Sequence, residues 1–143
     1  MTSIGWMPAA RQACRNFRAA TAGSRNAKHS VYIVLLHDSR FPERWGLYVG
    51  QTSRDPDWRF DQHKLGYKAS GAVRRFGVHL LPELVEHLNP MQQWESLELE
   101  AALADAFRGR AFRGSRAAIS VRSASVRRVS FDAVIDLVVG AEK

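Results

Sequence analysis

The chain has 143 residues, 45% of them hydrophobic and 10% aromatic, which suffices for one folded domain with a modest core and excludes wholesale disorder. Its 21 lysines and arginines against 14 acidic residues give a net charge of +7 and a pI of about 10.3, so the expected partner is a polyanion, nucleic acid first. Lone Cys14 excludes an internal disulfide and a thiolate zinc site; with no apolar run near the roughly 18 residues of a membrane span and no secretory-type leader, the expected compartment is the cytoplasm.

Residues 1–29 carry Arg11, Arg15, Arg18, Arg25 and Lys28 among Ala, Ser and Thr, with no acidic residue. They read as a basic, disordered N-terminal extension, with a transit-like arm as the alternative. The β-branched and aromatic run at 31–36 predicts a buried strand, and a polar stretch through Pro42 and Gly46 returns the chain to a second strand at 47–52. The two make a hairpin with a longish loop. Asp55-Pro56 supplies an N-cap and a first-turn proline, and Gly66 a stop, so residues 56–65 should be helical.

A second short helix runs to Phe76, capped by Ser70 and ended by Gly77, and residues 78–85 follow as a strand. Pro82 lacks an amide hydrogen, which puts that strand at an edge or bulges it. Asn89-Pro90 opens the longest helix, about 90–108, whose Trp94, Leu97, Leu99, Leu103 and Phe107 point in several directions, as in a helix packed on most sides. From Ala106 to Phe131 arginines punctuate Gly, Ala and Ser without an acidic residue. Residues 109–143 therefore read as a basic flexible tail, closed by a short helix from Ser130 to Gly140. The expected fold is α/β of the α+β kind over 30–108, a three-stranded mixed or antiparallel sheet flanked by helices.

Several residues in this frame bear chemistry. Arg59 and His63 sit four apart and share one helix face, and the arginine's planar fork of donors suits a phosphate and its developing charge. His63 is suited to bind phosphate or help protonate a leaving oxygen. Glu98 and Glu100 lie two apart on a helix and project about 200° from one another, so only one can face a site. Lys64, Lys68, Arg74 and Arg75, with Tyr67 and Phe76 among them, form a basic stretch suited to tracking a phosphate backbone, or else a solvated face. His29, His37, His79 and His87 fit no metal-ligand spacing.

The ordered set Tyr32, Tyr48-Val49-Gly50, Arg59-x-x-x-His63 and Glu100-x-x-Leu103 resembles the GIY-YIG nuclease superfamily over about residues 30–108, and the stretch from Arg59 to Pro90 looks closest to a small bacterial branch of it. The resemblance implies an endonuclease that hydrolyses DNA phosphodiesters with water. Tyr32 would be the general base or a relay to it, Tyr48 would orient water or phosphate, Arg59 would hold the scissile phosphate, and Glu100 would bind one divalent ion, Mg²⁺. A free phenol with a pKa near 10 is a poor base at neutral pH, so Tyr32 needs Arg59, the metal or another cation to stabilise its phenolate. The chain departs from the family pattern in Ser30-Val31 before Tyr32, in Val49 for Ile, and in having no Asn after Asn89. The rival reading is a catalytically inactive DNA- or RNA-binding module with the same fold.

Overall fold

In a computed structural model of the chain, residues 5–42, 45–66, 70–108 and 119–123 are described. The elements run α1 (Met7–Arg15), β1 (Ser30–His37), β2 (Trp45–Thr52), α2 (Pro56–Leu65), α3 (Gly71–Phe76), β3 (Gly77–Leu80), α4 (Gln93–Arg108) and β4 (Ile119–Ser123). The fold is mixed α+β around a four-stranded sheet of order β3-β1-β2-β4, in which β1 pairs antiparallel with β2 and β3 while β4 lies parallel to β2. No helix among the described residues is long and apolar enough to cross a membrane.

Strand β1 is buried on both faces, and its alternation divides the core in two. Val31, Ile33 and Leu35 point with Leu47 and Val49 of β2 into the larger cluster, which includes residues from α1 and α4. Tyr32, Val34 and Leu36 point the other way, with Tyr48, onto Ala72 and Val73 of α3. Helix α2 closes this second face. The Asp55 carboxylate caps it by accepting from the Asp57 N–H at 2.8 Å, and Gly66 ends it at φ 91°, a left-handed value that favours glycine.

The N-terminal segment corrects the expectation of a disordered extension. Trp6, Met7, Ala10 and Cys14 recur at helical spacing and are buried in the larger cluster, while Arg11 and Arg15 take the exposed side of α1. The segment after it is held by Glu95 of α4, whose carboxylate accepts from Ala20 N–H, Thr21 N–H and Thr21 Oγ1 at 2.8, 2.7 and 2.6 Å. The unbalanced cations of residues 1–29 suggest a solvated arm, but the apolar face decides the structure.

Other boundaries differ for local reasons. The strand expected through residue 85 stops at Leu80, because Pro82 has no N–H to give and starts a 3-10 turn, Pro82–Leu84. β3 is an edge strand, as expected of a segment leading into that proline. Beyond it the side chain of Asn89 takes the place of a neighbouring strand: Val31 N–H donates to its Oδ1 at 2.9 Å, and its Nδ2 donates to the Val31 carbonyl at 2.8 Å. Helix α4 begins at Gln93 and is not packed on most sides, since Trp94 and Leu97 are 54% and 45% exposed. Residues 119–123, expected in a flexible tail, pair with β2, and Val121 is buried. The terminal helix expected from Ser130 to Gly140 lies outside the described residues.

Candidate active site

The antiparallel register puts Tyr32 directly opposite Gly50, with Tyr48 two residues before that glycine on the same sheet face. The Tyr32 ring leans across Gly50 so closely that a Cβ there would stand 2.5 Å from Tyr32 Cζ and Oη. The glycine of the Tyr-Val-Gly triplet is thus the seat of the first tyrosine. The two phenol rings lie 6.1 Å apart between centroids, tilted by 35°.

Helix α2 delivers His63 to this face. The imidazole is 1% exposed, its Nε2 lies 2.9 Å from Tyr32 Oη, and its edge meets the Tyr48 ring at 5.6 Å. Its other nitrogen, Nδ1, accepts the backbone N–H of Ser70 at 2.9 Å. Burial and then the Arg59 charge push the His63 pKa down to about 4, so at neutral pH the ring is uncharged and has no extra proton to give.

Arg59, one turn before His63, also acts on Tyr32, favouring its phenolate, whereas the Glu100 charge disfavours it. Burial is the largest influence and, with repulsion from Tyr48 were that phenol also ionised and the hydrogen bond to it, pushes the Tyr32 phenol far above its ordinary range. Tyr32 therefore keeps its proton at neutral pH unless a further positive charge arrives. Glu100 is 1% exposed while Glu98 faces solvent, as two residues 200° apart on a helix require. Glu95, the other buried acid of α4, is committed to the N-terminal segment. Tyr32, Tyr48 and His63, from β1, β2 and α2, are thus in contact, and the charges of Arg59 and of Glu100 on α4 reach the Tyr32 phenol.

Among the described residues no group of three or more His, Cys, Asp or Glu side chains is placed to share a metal ion. The buried carboxylate of Glu100 fits a hard cation held by one protein ligand and completed by water and substrate phosphate, as Mg²⁺ commonly is. A cavity of about 190 Å³ opens beside Tyr32, with Pro56, Leu80, Pro82 and Val85 in its mainly apolar wall.

The basic stretch divides. Lys64 Nζ donates to the carbonyls of Arg74 and Gly77, at 3.2 and 3.0 Å, and so ties α2 to the end of α3. Arg74 and Arg75 are exposed, the latter with its guanidinium 5.4 Å from the Phe76 ring centre, and Lys68 lies outside the described residues. Three of the remaining histidines hydrogen-bond backbone carbonyls: His37 at Pro42, His79 at Leu80 and His87 at Cys14. Ser70, whose amide orients His63, is not evident from sequence as a site residue, because a backbone donor leaves no side-chain signature. Nor is the Arg54–Trp58 pair, whose guanidinium lies 5.3 Å from the ring centre one residue before Arg59.

Comparisons with protein-family models, with curated proteins and with solved structures find no match for this chain.

Proposed function

We propose that the chain is a Mg²⁺-dependent endonuclease of the GIY-YIG type that hydrolyses DNA phosphodiesters with water. The observation that carries this reading is the clustering of both tyrosines with His63 under the opposed charges of Arg59 and Glu100.

In this reading Arg59 binds the scissile phosphate and stabilises the charge that develops on its oxygens. A Tyr32 phenolate, formed only where a further positive charge stabilises it, would take the proton of the attacking water directly or by relay, with Tyr48 orienting water and phosphate beside it. Glu100 would hold the divalent ion, which when bound would supply positive charge to the phosphate and to the phenols. His63 holds Tyr32 in place. The exposed Arg74 and Arg75 provide the positive surface along which the DNA backbone lies.

The burial that keeps Tyr32 protonated favours a second reading, a module that binds DNA or RNA without cutting it. Purified protein incubated with Mg²⁺ and plasmid, duplex or branched DNA separates the two. Cleavage lost in Tyr32→Phe and in Glu100→Ala supports the enzyme. Salt-sensitive binding without cleavage supports the silent module.

A further inference from the structure

The contact between Tyr32 and His63 carries a direction, because the other side of the imidazole is already committed. Ser70 N–H points at His63 Nδ1 from 2.9 Å, and a backbone amide only donates, so Nδ1 holds a lone pair. A neutral imidazole has one N–H, which must then be on Nε2, and Nε2 lies 2.9 Å from Tyr32 Oη. Tyr32 oxygen is therefore an acceptor from His63, and its own proton has to turn elsewhere. The neighbouring phenol in hydrogen-bond contact with it is Tyr48.

The rest of the cluster keeps this order in place. Reversing the chain would put the imidazole proton on Nδ1, where it would face the Ser70 N–H, and at 1% exposure His63 has no access to water as a substitute partner. Arg59 beside His63 opposes a second proton on the imidazole, which would be needed for the ring to pass one on.

We propose that His63 is a positioning residue that sets the direction of a hydrogen-bond chain from the Ser70 amide through His63 and Tyr32 to Tyr48. Tyr48, at the end of the chain, then carries the oxygen offered to the reacting water: once its own proton has left to solvent, its phenolate is stabilised by the hydrogen bond donated from Tyr32 and takes one proton from that water. Only this last link rests on the nuclease reading; the direction of the chain does not.

The test begins with the intact ¹⁵N-labelled chain at neutral pH, its imidazole nitrogens read by long-range ¹H–¹⁵N correlation and His63 assigned through His63→Gln. The expected pattern is the Nε2–H tautomer, with a proton slow to exchange and a resonance that moves in Tyr32→Phe. An Nδ1–H tautomer or a charged imidazole overturns the proposal. In plasmid cleavage with Mg²⁺, His63→Gln, which keeps a donor near the Nε2 position, should stay within about tenfold of wild type, whereas His63→Leu should lose about 10²-fold in kcat. Because the chain acts as a unit, His63→Leu added to Tyr48→Phe should cost no more than Tyr48→Phe alone, and losses that multiply overturn the proposal. A protein that cuts no DNA yet displays the Nε2–H tautomer contradicts the nuclease reading while upholding the chain, so the two fail separately.

Discussion

Gly50→Ala is a sharp probe of the site, because the structure says what one methyl group would strike. It would stand 2.5 Å from Tyr32 Cζ and Oη and 2.9 Å from Cε1, where carbon atoms prefer about 3.5–4.0 Å. The ring has to lift by about 1 Å or more, and because it is buried against His63 that movement stretches or breaks the 2.9 Å hydrogen bond. Overpacking of this kind costs about 1–3 kcal/mol, and buried polar groups left unpaired cost about 1–3 kcal/mol more. Loss of glycine's freedom in the unfolded chain returns about 0.4–1 kcal/mol, which leaves a net destabilisation of about 1–5 kcal/mol. For a chain of this size the melting temperature should fall by about 3–20 °C. Tyr32→Phe cannot rescue it, since Cζ and Cε1 remain in the way. Tyr32→Val removes the ring, and in that background Gly50→Ala should cost less than about 0.5 kcal/mol. Thermal or urea unfolding of the four proteins measures this coupling. A Gly50→Ala variant as stable as wild type, or an equal cost in both backgrounds, would refute the account of the Tyr32 seat.

Three further outcomes follow from the same contacts. His63 titrates at about 4 in the fold against 6.5 as an ordinary histidine, so between those values the unfolded chain binds more protons and stability is lost as pH falls from 6.5 toward 4. Full linkage of such a shift is roughly 3 kcal/mol, and about 1–2 kcal/mol after solvent screening; urea midpoints of wild type and His63→Gln across that range should diverge by that amount, and parallel curves contradict it. Glu95→Ala removes the acceptor for Ala20 and Thr21 and should cost about 2–3 kcal/mol, with faster amide exchange at both residues; unchanged exchange there would show that the carboxylate does not hold the segment. Arg74→Ala and Arg75→Ala should each weaken DNA binding across sequences and lower the salt slope by about 1, whereas an unchanged slope removes that residue from the interface.

What the sequence makes legible is what local chemistry decides. Asp55, Pro56 and Gly66 punctuate α2 strongly enough to place both its ends, and with them the four-residue spacing of Arg59 and His63. Helix geometry says that only one of Glu98 and Glu100 faces inward, the resemblance to the Glu-x-x-Leu pattern of GIY-YIG nucleases implies Glu100, and of the two it is Glu100 that is buried. Tertiary partners decide the rest. The face of Trp6, Met7, Ala10 and Cys14 is masked by five cations in the same 29 residues, and only the core it packs against reveals it. β4 is a short run in an arginine-rich stretch whose pairing depends on the free side of β2. The Ser70 amide on His63 and the Asn89 clamp on Val31 use backbone groups, for which no residue type is diagnostic.

The central claim, that Tyr32, Tyr48, Arg59, His63 and Glu100 make one hydrolytic site, is tested most directly by Mg²⁺-dependent cleavage of plasmid and branched DNA by the wild-type chain beside Glu100→Ala and Tyr48→Phe, with folding of each verified by its melting curve. The account predicts cleavage by the wild type and a loss of at least about 10²-fold in each folded variant. A wild type that binds these DNAs without cutting them, or cleavage that survives both substitutions, contradicts it.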